Sequence, residues 1–109
     1  IDVSRDFGAI QDLLDALMKV VTVGPKQKGH FNLWNLSSGV GKNLRLLVEV
    51  MAQKMGLNVS CRSREDLIRK NEPLSVVADS SKFAKAYGWI PRHARNEVSL
   101  VSAFLEDLK

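Results

Sequence analysis

Arg5-Asp6-Phe7-Gly8-Ala9-Ile10-Gln11-Asp12-Leu13-Leu14-Asp15-Ala16-Leu17 joins a short extended segment to an amphipathic run. Residues 1 to 7 read as extended backbone. From about Ala9 to Val23 the apolar residues Ile10, Leu13, Leu14, Leu17, Met18 and Val21 recur at the i, i+3, i+4, i+7 spacing of one helix face. Asp12 falls in the first turn, where the helix dipole favours negative charge. Gly24-Pro25 stops the helix. An extended segment feeding straight into an amphipathic helix predicts an α/β unit.

Working outward, Lys26 to Lys28 read as a polar turn. Gly29-His30-Phe31-Asn32-Leu33-Trp34-Asn35-Leu36 alternates and reads as a strand. Ser37 to Lys42 form a loop, and Asn43 is a plausible cap for a second helix over Leu44 to Met55, ended by Gly56. Leu44, Leu47, Val48, Met51 and Met55 make its inner stripe. Leu57 to Arg62 reads as a second strand, with Cys61 as a small strand residue. Ser63 to Glu72 is charged and irregular, with room for a short helical turn. Leu74 to Ala78 is extended, Asp79 or Ser80 caps a third helix from Ser81 to Tyr87, and Gly88 closes it. After extended Trp89-Ile90-Pro91-Arg92, a last helix covers about Asn96 to Leu108, with Val98, Val101, Leu105 and Leu108 as its stripe. The expected fold is therefore α/β, a small mixed sheet with about four helices. The loop at 63–73 is the least regular part, and such segments often carry function.

The chain has 109 residues, enough for one domain. At 45% hydrophobic and 26% charged it is ordinary globular material. The formal charge is +4, but acidic residues are interspersed throughout, so no basic block of the nucleic-acid-binding kind occurs. A mild positive balance suits a small phosphorylated ligand. The single cysteine, Cys61, allows no internal disulfide and no cysteine-based metal site. No apolar run approaches the ~18 residues of a membrane span. A cytoplasmic location is the default expectation. Ile1 in place of an initiator methionine fits a fragment, a processed product or a trimmed chain.

Four segments, in order, resemble the C-terminal substrate-binding region of the extended short-chain dehydrogenase/reductases, the NAD-dependent sugar-nucleotide epimerases and dehydratases. The first is Arg5-Asp6-Phe7 through Asp12. The second is Asn35-Leu36-Ser37-Ser38-Gly39-Val40-Gly41-Lys42-Asn43, similar to a glycine-containing turn before a capped helix, with Ser37 where that family usually has glycine. The third is Arg69-Lys70-Asn71-Glu72-Pro73, with Asn71 in a glycine place that the left-handed tolerance of asparagine can fill. The fourth is Ala78-Asp79-Ser80-Ser81-Lys82 through Gly88-Trp89-Ile90-Pro91, with Phe83 and Tyr87 replacing the usual alanine and leucine. The resemblance covers essentially the whole chain and implies a single domain, residues 1–109, that is a fragment of a larger enzyme.

The resemblance implies that Arg5 and Arg69 clamp the diphosphate of a sugar nucleotide. A guanidinium offers a planar fork that matches phosphate oxygens. Against this stand, for Arg5, a surface pair with Asp6 or Asp2, and for Arg69, a solvated loop in which Arg62 or Arg64 could take its place. Glu72 would accept from a ribose hydroxyl. Asp12 is expected to bind backbone amides and fix the segment before it. Asp79 and Lys82 read as cap and surface residues, and Trp34, Tyr87 and Trp89 as packing residues. Ser38 to Asn43 fails the P-loop pattern, because Leu36 stands at its leading glycine and Asn43 at its hydroxyl position. His30 and His93 have no ligand at zinc spacing.

No glycine-rich dinucleotide turn follows a strand, and no Tyr-x-x-x-Lys pair occurs. This chain alone is expected to bind no cofactor and to be inactive. NAD(P), held by an upstream Rossmann domain, is implied for the parent enzyme, with a sugar nucleotide as ligand and neither nucleic acid nor membrane as partner. The alternative is a free-standing, non-enzymatic ligand- or protein-interaction module derived from that domain.

Overall fold

Ser4–Arg5 is the middle strand, β1, of the three-stranded sheet in this computed structural model, which describes residues 3–26, 29 and 31–109. The helix α1, Ile10–Val23, follows almost at once. Strand β2, Lys42–Asn43, pairs antiparallel with β1 and runs directly into α2, Leu44–Met55. A single 3-10 turn at Glu65–Leu67 precedes β3, Ser75–Val76, which pairs parallel with β1. Helices α3, Ser81–Tyr87, and α4, Glu97–Asp107, complete an α/β fold with a mixed sheet.

Local chemistry sets the helix ends. Asn43 accepts from the Leu46 amide at 3.0 Å, and Gly56 ends α2 in the left-handed region at φ 69°. Gly88 ends α3 in the same way. Asp79, not Ser80, supplies the side-chain bond at the start of α3, accepting from Ser81 N at 2.9 Å. In α4 the Asn96 side chain accepts from Ser99 N while Ser99 Oγ accepts from Asn96 N, a reciprocal capping box.

Two small cores form. Ala16 of α1 meets Phe83, Tyr87 and Trp89, with Trp34 and Val20 packed beside them. The aromatic centroids lie 4.7–5.8 Å apart, mostly edge to face. Both polar tips are used: Trp89 Nε1 donates to Asp12 O and Tyr87 Oη to Gly24 O, pinning α1 at both ends. Trp34, Tyr87 and Trp89 are packing residues, as their sequence context suggests. Lys82 lies over the Trp34 ring at 5.2 Å instead of standing free at the surface. The second core joins Ala9, Ala94 and Ala103, with Leu100 against it.

Two expected strands are corrected. Residues 31–36 and 57–62 form no ladder. In the first the alternation is real, since Asn32 and Trp34 are half-buried while Phe31 and Leu33 are exposed, whereas residues 57–62 are exposed throughout. No neighbouring strand edge pairs with them, so the pattern places Trp34 without making a sheet. Cys61 is exposed in the second of these segments. The expected polar turn at Lys26 to Lys28 and the residue His30 fall wholly or partly outside the described residues.

The apolar stripe of α1 is also not its buried face. Asp12 and Ala16 are buried, whereas Ile10, Leu14, Leu17, Met18 and Val21 are about half exposed or more. The chain exposes 8209 Å², against about 6,000 Å² for a compact protein of this mass. Its radius of gyration is 16.8 Å, against about 13 Å for a compact domain of this length. Much apolar surface therefore stands uncovered. Among the described residues no helix is long and apolar enough to cross a membrane.

The aromatic core should dominate stability. Phe83→Ala, at a side chain only 1% exposed, is expected to cost about 3–5 kcal/mol in urea unfolding. A loss under about 1 kcal/mol would mean that this cluster does not hold α1 to α3.

Candidate functional site

The site begins at the carboxyl end of β1, where two consecutive residues reach different parts of the chain. The Asp6 carboxylate accepts from Ser38 N at 3.0 Å, Gly39 N at 3.0 Å and Ala78 N at 3.3 Å. Ser38 Oγ donates to the same carboxylate. Lys42 Nζ stands 4.0 Å from Asp6 Oδ1, donates to Phe7 O at 2.7 Å and also bonds Ser38 Oγ. The lysine side chain is fully buried and that of Asp6 is 8% exposed. Ser37 joins the same junction: its hydroxyl donates to Ala78 O, and its carbonyl accepts from Ser80 Oγ. Gly41 permits the approach, because a Cβ there would lie 3.1 Å from Val77 Cγ2 and 3.4 Å from Ser4 Cβ.

Burial acts to raise the carboxyl pKa of Asp6. The Ser38 hydroxyl, the Gly39 and Ser38 amides and the Lys42 charge outweigh it, so the group is held below its usual value. For Lys42 burial wins over the attraction of Asp6, Glu97 and Asp12, and the ammonium titrates below its usual value. A buried lysine bonded within its own loop is no phosphate ligand, so the superficially P-loop-like segment is a structural turn.

Arg5 turns the other way. Its Nη2 donates to Glu72 Oε1 at 2.5 Å, and its Nη1 lies 3.0 Å from Pro73 O and 2.8 Å from Ser4 O. Its acidic partner is Glu72, not Asp6, and Asp2 lies outside the described residues. The side chains of Arg5 and Glu72 remain 24% and 30% exposed. Arg69 is exposed and lines a polar recess of about 380 Å³ together with Glu72, Val3, Ser63, Leu67 and Ile68. Asn71, between Arg69 and Glu72 in the loop, has φ 60°, the left-handed backbone expected at this glycine-like place. Thus the three residues singled out in the sequence meet in one region: Arg69 and Glu72 in the recess, and Arg5 clamped to Glu72. Glu72 has one oxygen committed to Arg5. Arg64, the possible substitute for Arg69, is instead paired with Asp66.

Asp12 corrects another expectation. Its carboxylate fixes the distant segment after Pro91 and not the one before α1: it accepts from His93 N and lies 2.8 Å from His93 Nδ1. Among the described residues no group of three or more histidine, cysteine or acidic side chains could hold a metal. The Asp6–Lys42 junction is what sequence reasoning missed. Ser38 and Lys42, four residues apart in a glycine-containing turn, were the available signal, but their shared acid lies more than thirty residues upstream.

No family model matches the chain. Among curated proteins it is 28% identical over 89 residues to the UDP-glucose 4-epimerase of Corynebacterium glutamicum, a match that covers 82% of this chain and 26% of that protein. It is 28% identical over 91 residues to the GDP-6-deoxy-D-mannose reductase of Pseudomonas aeruginosa, covering 84% and 29%. The fold matches the structure of RMD from Pseudomonas aeruginosa complexed with NADPH, with a TM-score of 0.69 at 24% identity, over 98% of this chain and 34% of that one. The chain thus spans about a quarter to a third of the proteins it matches. It is similar to the C-terminal portion of short-chain dehydrogenase/reductase enzymes, as its motifs imply.

A depressed carboxyl pKa stabilises the fold above the unfolded value, and that contribution is lost as pH falls through the folded value. Stability should therefore fall as pH drops through and below the ordinary carboxylate range, and Asp6→Asn should flatten part of that drop. At neutral pH the same variant should cost about 1–3 kcal/mol, since buried amides lose a charged acceptor. An unchanged acid profile in urea unfolding at stepped pH would remove Asp6 from this role.

Proposed function

We propose that this chain is the substrate-binding portion of a cytoplasmic, NAD(P)-dependent enzyme acting on a sugar nucleotide by epimerisation, dehydration or reduction. The observation that carries the reading is the recess that brings Arg69 and Glu72 together, with Arg5 held at its edge. Two relatives whose names both carry a nucleoside-diphosphate sugar support it. Epimerase and reductase are named among them; dehydratase rests on the motif resemblance alone.

The chemistry fits a diphosphate. Arg5 has five N–H donors, and its three bonds to Ser4, Glu72 and Pro73 leave Nε–H and one Nη2–H for phosphate oxygens. Glu72 fixes the plane of the guanidinium, so little rotamer freedom is lost on binding. Arg69 supplies a second fork from the opposite loop. Glu72 Oε2 is the oxygen that would accept from a ribose hydroxyl. The residues of this chain do not fit a nicotinamide dinucleotide, for they include no strand followed by a glycine-rich turn. NAD(P) chemistry is therefore assigned to an upstream Rossmann domain. The excess apolar surface on α1 is consistent with such a neighbour.

That same exposed face favours one second reading, a free-standing interaction module. The two differ in what the recess does. In the full-length protein, Arg5→Ala and Arg69→Ala should each weaken sugar-nucleotide binding by about tenfold to a hundredfold, the scale of charge-assisted hydrogen bonds. Unchanged affinity in both variants, measured by calorimetry, would sink the diphosphate clamp and leave the interaction module.

A further inference from the structure

The sheet that delivers Arg5 to the recess is very short. Strand β1 has two residues, and each neighbour pairs with the same two. Beyond these pairs, Ser4 N to Leu74 O and Leu44 N to Val3 O are the flanking backbone bonds. So short a ladder specifies register weakly, and a slip of one residue turns every side chain to the opposite face. A slip here would take the Arg5 side chain off Glu72.

Asp6 is bonded to both neighbours at this point. It follows Arg5 directly, and the two side chains reach different segments of the chain. Its two oxygens hold amides from both flanking segments, Ser38 and Gly39 in the turn before β2 and Ala78 just past β3. Lys42, the register partner of Arg5 in β2, closes the same junction from the third side. One carboxylate thus fixes β1 against both neighbours at the point where the arginine side chain departs.

We propose that Asp6 is a positioning residue for ligand binding: by locking the register of β1 it places the Arg5 guanidinium on Glu72 and Pro73 at the rim of the recess. This rests on the clamp reading given above. The test is a double-mutant cycle in the full-length protein, with UDP and GDP as probes in calorimetry. Asp6→Asn should weaken whichever diphosphate binds by at least about tenfold, and should add little when Arg5 is already alanine. A penalty that adds in full to that of Arg5→Ala would show general loosening and overturn the proposal. So would a folded Asp6→Asn variant with unchanged affinity. If Asp6→Asn does not fold, Ser38→Ala, which removes one donor to the carboxylate, should show a smaller loss with the same non-additivity; full additivity would again overturn it.

If Arg5→Ala itself has no effect, the clamp fails separately. The positioning claim is then decided by solvent exchange of the Arg5 guanidinium protons in NMR. Faster exchange in Asp6→Asn, or in Ser38→Ala, supports it, and unchanged exchange contradicts it.

Discussion

The buried contact between Asp6 and the Ser38–Lys42 turn, together with Ala78, ties β1 to the segments on both of its sides. Strands of two residues cannot hold a sheet together by backbone bonds alone. A carboxylate that accepts from amides on both flanking segments can, because charge-assisted bonds in a partly dry site are about twice as strong as neutral ones. Burying an acid and a lysine carries a desolvation cost that a single ion pair does not always offset. Here the amides and the serine hydroxyl satisfy the acid, while Phe7 O and Ser38 Oγ satisfy the ammonium. Breaking either side would leave the other uncompensated.

From that junction the two halves of the molecule follow. On one side α1 leaves β1 and is stapled along its length by Trp89, Tyr87 and the Asp12–His93 contact. On the other side the loop from Ser63 to Pro73 returns to β3 and presents Arg69 and Glu72. Arg5 is the bridge between them. The charges of the recess are thus carried by a loop, and their precision comes from the sheet residue that meets it.

Much of the fold was legible in the sequence, and the exceptions have physical causes. Helix ends at Asn43, Gly56 and Gly88 were readable because caps are local chemistry. Asn71 was readable because its glycine-like place demands a left-handed backbone. The segments 31–36 and 57–62 were not, since alternation reports which residues face inward and says nothing of whether a partner strand exists. The outward stripe of α1 misled for a related reason: periodicity finds an apolar face, while burial depends on what covers it. Arg5, Arg69 and Glu72 could be singled out by motif, but the Arg5–Glu72 pairing spans 67 positions and is not encoded locally. Asp6 and Asp12 likewise act on residues far along the chain.

The uncovered surface ties the fold to its proposed setting. The chain exposes 8209 Å², with half-exposed apolar side chains along α1, more than a compact domain of this size shows, and the proposed neighbouring domain would cover such a face. The most direct measurement of the central claim is a crystal structure of the full-length protein with a bound nucleoside diphosphate sugar. The clamp requires diphosphate oxygens within hydrogen-bond reach of both Arg5 and Arg69, with Arg5 still paired to Glu72 and Asp6 still holding Ser38, Gly39 and Ala78. A diphosphate bound elsewhere, with the recess empty, would contradict it.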